Sequence, residues 1–140
     1  MKKRIIDLWL YIILFFVKGW LMDAGFKTEL IAWGVDWNEI LDRFMGNEDL
    51  IARFMFKFLN DQSMNDLTKY LAEGNVSEAF KAVHTLKGVG ANLGLKGFLT
   101  PVCELTEILR AGSMEGYEVK YNEIKPKYDE LIAILQKYQA

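Results

Sequence analysis

The residues of this chain best suited to chemistry lie in one stretch, Ala82-Val83-His84-Thr85-Leu86-Lys87-Gly88-Val89-Gly90-Ala91-Asn92-Leu93-Gly94, and His84 is the only histidine among 140 residues. A neutral imidazole nitrogen is a competent nucleophile near neutral pH, and the phosphoramidate it forms is reactive enough to pass a phosphoryl group on. If Phe80, Val83, Leu86 and Gly90 face a core, then Lys81, His84, Lys87, Gly88 and Ala91 share a second helix face at offsets of three, four and seven. That face is predicted to meet solvent, because His84 lies off the apolar stripe between two lysines; a lone histidine is otherwise commonly a core residue. Glycine inside a helix costs about 1 kcal/mol relative to alanine, so Gly88 calls for a reason. One turn past His84 it leaves the imidazole uncrowded and, with Ala91, gives a shallow surface where a partner can bring a reactive group to a ring nitrogen. A close helix crossing explains Gly90 better than Gly88. The Lys87 ammonium can reach the same surface and offset the charge of a phosphoryl group.

The chain has no glycine-rich phosphate loop, no GxxxxGK and no kinase signature. It is therefore expected to carry phosphate without taking it from ATP. A Ser-His-Asp hydrolase is disfavoured, since His84 sits in a helical pattern with no nucleophile elbow in the sequence.

Elements must hold this face in place, and composition says what kind. With 51% hydrophobic and 26% charged residues, the chain reads as one globular domain, able to bury roughly 68–70% of its unfolded surface without disulfide or metal support. One cysteine and one histidine leave no internal disulfide and no zinc cluster, so no metal site is expected. A net charge of −2 and a pI near 5.5 argue against a nucleic-acid partner.

From Asp36 onward apolar residues recur at three- and four-residue steps, which predicts an all-α fold. Asp36 can cap a short helix to about Phe44, with Glu39 completing a capping box and Gly46 closing it. A second helix starts near Asn47 or Glu48 with Ile51, Phe54, Met55, Phe58 and Gln62 on its stripe. The pattern resumes at Met64, Leu67, Tyr70 and Leu71, as one kinked helix or two around Asp61 to Ser63. Ser77 is the expected cap of the third helix. The fourth runs from about Leu95 to Arg110, kinked at Pro101 or restarting there with Thr100 as cap. The last carries Tyr117, Tyr121, Ile124, Tyr128, Leu131, Leu135 and Tyr138 and should bend at Pro126. Short connections favour an antiparallel up-down bundle of four main helices plus the short one. Cys103 is expected to be a small buried residue.

Residues 1–22 read as a separate extension to a domain at 23–140. Lys2, Lys3, Arg4 and Lys18 against Asp7 make it basic, and Leu8 to Val17 is an unbroken apolar run. The outline is that of a signal peptide without a small-x-small cleavage site, and the run is short of the ~20 apolar residues a spanning helix needs. Arg4, Asp7, Tyr11 and Lys18 fall on one stripe, as in a helix lying at a membrane surface. Alternatively, Met22 is the true start and the first 21 residues are an upstream extension.

The string His84-Thr85-Leu86-Lys87-Gly88, followed by Asn92-Leu93-Gly94, resembles the signature of the histidine-containing phosphotransfer (HPt) domain of multistep two-component phosphorelays. The similarity covers about residues 34 to 138, from Gly34-Val35-Asp36 through Phe58-Leu59, Leu67 and Leu71 to the motif helix in third position. It implies that His84 accepts a phosphoryl group, Lys87 stabilises it and Gly88 gives the partner access. The implied partners are receiver domains of response regulators and a hybrid sensor histidine kinase, in the cytoplasm. The chain would need no cofactor of its own, the receiver contributing the phospho-aspartate and its Mg²⁺. Gly97 and Pro101 depart from the family's regular fourth helix. A docking surface around His84 is expected to include Lys81, Ala91, Asn92 and, from the second helix, an exposed Phe56; the other expectation for Phe56 is packing under the N-terminal segment or the short first helix. The competing reading is a helical adaptor that binds a receiver or kinase without being phosphorylated. A sugar-transport phosphocarrier is disfavoured, because those resemble α/β sandwiches.

Overall fold

The first five described helices start after short polar side chains that accept free backbone N–H groups, while the last two start without such a cap. In the computed structural model, which describes residues 22–139, helix α1 (Ala24–Trp33) begins at Asp23, whose carboxylate accepts from the backbone N–H of Gly25 and Phe26. Helix α2 (Trp37–Arg43) begins at Asp36, which accepts from Glu39 N–H, and α3 (Glu48–Lys57) at Asn47, which accepts from Leu50 N–H. A 3₁₀ turn (Phe58–Asn60) ends α3, and α4 (Ser63–Ala72) follows with Ser63 N–H bonded to Asp61. Helix α5 (Val76–Asn92) is capped by Asn75 through Glu78 N–H; α6 (Lys96–Arg110) and α7 (Tyr117–Tyr138) complete the chain. Among the described residues there is no strand, only one antiparallel bridge between Val35 and Leu95.

Of the two forms open around Asp61 to Ser63, the chain takes two helices, separated by Asp61 and Gln62. Several expectations are corrected. The cap of the motif helix is Asn75 rather than Ser77: its side-chain oxygen accepts from Glu78 N–H at 3.1 Å, so the helix has already begun at Val76. Of the two forms expected at Pro101, the restart at Thr100 does not occur, since α6 runs on through it, and α7 likewise runs on through Pro126. The capping box at Asp36 is half made: Glu39 turns to Lys96 and Arg43, and the backbone N–H of Asp36 instead donates to Gly94 O at 2.9 Å. Cys103 is half-buried rather than buried.

The bundle is built by successive neighbours, α4 on α5, α5 on α6 and α6 on α7, joined by short connections that make each pair antiparallel. Leu67, Val83, Leu86, Phe98, Val102, Leu105, Ile124 and Leu131 are fully enclosed, each such side chain contributing about 1.5–3 kcal/mol from removed apolar surface. The tyrosines of α7 lean on this core from its edge. No described helix is long and apolar enough to cross a membrane. The basic, apolar segment 1–21, with the anchoring and extension readings placed on it, lies outside the described residues.

Helix α1 was not legible as a helix, yet it is firmly seated. It packs on α7 and buries Phe26, Leu30 and Trp33. Its closing residue, Gly34, has φ +128°, and a Cβ there would stand 2.6 Å from the Cα of Gly97; a Cβ on Gly97 would stand 2.6 Å from Trp33 O and 3.1 Å from the indole. The two glycines thus let the end of α1 cross the first turn of α6 backbone against backbone. Trp33 sits edge-on to Phe98 at 5.5 Å and donates Nε1–H to Lys127 O at 2.8 Å, while Lys127 Nζ donates to Trp33 O at 2.9 Å. At the other end Tyr138 and Lys137 both donate to Glu29, and those bonds hold the Glu29 carboxyl below the usual carboxylate range.

Candidate functional site

The face predicted on the motif helix exists as a surface of α5. Val83, Leu86 and Gly90 are buried together with Ala79 and Ala82, and Lys81, His84, Gly88, Ala91 and Asn92 are exposed, with Lys87 half-buried beside them. Phe80 differs from expectation. It is half-buried at the rim of the core, and its ring lies 5.7 Å from the His84 ring at 47°. The guanidinium of Arg110, at the end of α6, stands 5.2 Å over the other part of this cluster, the Phe80 ring.

Charge around His84 is sorted by pairing. Lys81 is tied to Glu78 at 3.0 Å and Arg110 to Glu107 at 3.3 Å. Lys87, by contrast, forms no ion pair among the described residues. One helical step from His84 along the face, an uncommitted ammonium is the group able to neutralise an incoming dianion.

Gly88 has nothing within 4 Å of the position a Cβ would take. No helix crosses there, so packing does not account for the glycine. Gly88→Ala should therefore raise stability by about 0.5–1 kcal/mol through helix propensity, read in a thermal melt. Gly88→Gln, placing a long side chain beside the imidazole, should likewise not lower the melt but slow phosphoryl delivery by a protein donor about tenfold.

Beyond Gly88, Asn92 continues the stripe at the next helical repeat and leads into an open, mainly apolar groove of about 420 Å³ between α2, α3 and α5. Phe44 and Phe54 form its wall, with rings 5.3 Å apart, and Val89 and Leu93 extend it; Lys57 stands 4.9 Å over the Phe54 ring. Phe54, assigned by periodicity to the core stripe, is exposed, whereas the expected exposed residue, Phe56, is half-buried and stacked on Phe26 at 4.9 Å and 12°. The expectation of an exposed Phe56 is thus corrected, because α1, unread in the sequence, covers that side of α3.

The C-terminus of α5 is held by its own glycine and by α2. Gly94, at φ +63°, donates to Ala91 O while Leu95 N–H donates to Gly90 O, a double closure that needs the left-handed conformation glycine allows. Arg43 of α2 donates Nη1–H to Ala91 O and Asn92 O at 2.6 and 2.8 Å. Lys96 bridges Asp36 and Glu39 at 3.0 and 2.8 Å. The Asp36 carboxyl is held below its ordinary range by the Glu39 backbone N–H and then by Lys96, and Glu39 by Lys96 and then Arg43. The Arg43 guanidinium thus anchors the end of the motif helix, and the Lys96 ammonium ties the first turn of α6 to the start of α2 beside it. Arg43, Phe44, Phe54, Phe80 and Arg110 are the neighbours that sequence reasoning did not place here.

Among the described residues no group of three His, Cys, Asp or Glu is arranged to hold a metal ion. The arrangement has the parts needed to receive an anionic group from outside: an exposed imidazole, an open approach over Gly88, a free ammonium and an adjoining apolar groove. Residues 54–137 match the family model described as Hpt domain, a region that contains α4 to α6, all of α7 but Tyr138, and the whole of the His84 face. No curated protein and no solved structure matches the chain.

Proposed function

The chain belongs to the Hpt domain family and so acts in phosphorelay signalling, and from that premise we propose that His84 is its phosphoryl acceptor. Members of this family carry phosphoryl groups and are not kinases. The donor is the phospho-aspartate of a receiver domain, and the group passes on to the aspartate of another response-regulator receiver.

In the first step the lone pair of an imidazole nitrogen attacks phosphorus; the N–P bond forms as the P–O bond to the aspartate breaks, and the carboxylate leaves with its electron pair. In the second, a receiver carboxylate attacks the phosphorus of phospho-His84, the O–P bond forms and the P–N bond breaks, returning the electrons to the imidazole. Each step needs alignment and charge neutralisation more than acid–base work. Lys87 faces the equatorial phosphoryl oxygens, and Gly88 lets the receiver approach closely enough for transfer between proteins. The Mg²⁺ of this chemistry belongs to the receiver. Lys81, Ala91 and Asn92 lie in the receiver's footprint, with the Phe44–Phe54 groove at its edge in place of Phe56. A hybrid sensor histidine kinase would supply phosphate through its own receiver, which places the chain in the cytoplasm.

The observation that carries this reading is the exposed His84 beside an open Gly88 and an unpaired Lys87 on one helix face. The test is to incubate the full chain with a phosphorylated receiver. Acid-labile, alkali-stable phosphate on the chain is expected; no label from several receivers, with His84 accessible to an imidazole reagent, would turn the assignment to an unphosphorylated adaptor.

A further inference from the structure

We infer that Phe80 and Arg110 are positioning residues that hold the His84 imidazole in the orientation required for transfer, an inference that rests on His84 being the acceptor. A histidine exposed on a helix has no inherent reason to keep one rotamer. Side chains on a helix lean toward its N-terminus, so the imidazole of His84 leans over the turn that carries Phe80, and the two ring centroids are 5.7 Å apart. Phe80 is in turn backed from α6, where the Arg110 guanidinium lies 5.2 Å over its ring and is oriented by Glu107 at 3.3 Å. The row Glu107, Arg110, Phe80, His84 forms a wall on one side of the imidazole. On the other side, Gly88 leaves open space. A ring walled on one side and open on the other presents a nitrogen in one direction, and small misplacements of a reacting group are costly in rate.

Arg110 has no other assignment that requires this geometry. A cation in the last turn of α6 would complement the helix dipole in any rotamer, and its pairing with Glu107 does not demand that it lie on Phe80. Phe80 packs on the core from its rim and is only half-buried, which leaves its ring in reach of both His84 and Arg110.

The experiment is single-turnover transfer from a saturating phosphorylated receiver to the full chain, with two-dimensional NMR of the His84 ring protons. Phe80→Leu should lower the rate constant about tenfold and Arg110→Gln about threefold, with the half-saturating receiver concentration unchanged within about twofold. Arg110→Lys, which keeps a cation over the ring, should recover most of the rate. Both damaging variants should shift the His84 ring protons, which lose a fixed aromatic neighbour. Unaltered rate constants, or a loss confined to half-saturation, would overturn the positioning assignment. Arg110→Gln, at an exposed site, serves if Phe80→Leu fails to fold. If wild type accepts no phosphate, the acceptor reading fails by itself, and the ring shifts decide: unchanged shifts in Arg110→Gln reject the wall, displaced shifts sustain it.

Discussion

His84→Gln is expected to reduce phosphoryl transfer from a receiver by at least about a thousandfold, to background, while the thermal melt stays within about 0.5 kcal/mol of wild type. Both halves follow from the same observation. The imidazole is exposed on α5, so its removal leaves no cavity and no buried polar group unpaired. Glutamine matches much of its size and hydrogen-bonding capacity but offers an amide whose nitrogen lone pair is delocalised and not nucleophilic. No second histidine exists to take over. Quantitative phosphotransfer gels beside a circular-dichroism melt would check both halves. Retained labelling would place the acceptor elsewhere, and retained receiver-dependent regulation without labelling would favour the adaptor.

The second large effect is structural. Gly97→Val should destabilise the protein by about 2–3 kcal/mol, because its Cβ would begin 2.6 Å from Trp33 O and 3.1 Å from the indole ring. Neither neighbour has room to yield. The carbonyl of Trp33 is held by Lys127 Nζ, and the indole is fixed by its N–H bond to Lys127 O and by Phe98. The melting temperature should fall by roughly 8–12 °C, and Trp33 emission should shift toward that of a solvated indole. An unchanged melt would mean that the α1–α6 crossing is looser than the close approach of Gly34 to Gly97 describes. Gly88→Ala, with open space around it, is the matched comparison.

What was legible in the sequence was what rests on periodicity and local chemistry. The α5 face could be read because Val83, Leu86 and Gly90 repeat at helical spacing, leaving His84 and Gly88 off the stripe. The bundle could be read because α7 repeats its apolar residues at fours and threes over six turns. Helix α1 could not, because the apolar residues of Ala24–Trp33 are distributed around the helix rather than on one side: Ile31 and Ala32 are exposed while Phe26, Leu30 and Trp33 are buried. A signal was nonetheless present, in Asp23 as cap, Gly34 as close, and Phe26, Leu30 and Trp33 at steps of four and three. The exchange of Phe54 and Phe56 follows from that omission. Wheel arguments rank faces by apolar content, and only the position of α1 decides which phenylalanine is covered. Gly97, which departs from the family pattern, is explained by a contact with a helix that the matched region does not include.

The Gly34–Gly97 crossing also bears on time. The bundle helices α4 to α7 meet their chain neighbours across short connections, whereas the bonds that seat α1 join residues 94 and 109 positions apart. Loop-closure entropy makes contacts between distant residues late events, so α1 can dock only after α6 and α7 have formed the surface it crosses. The bundle that presents His84 is then the early-forming unit, and α1 the last to arrive and the first to leave. Hydrogen exchange should show this as amides of α1 exchanging through a smaller opening than those of α5 and α6.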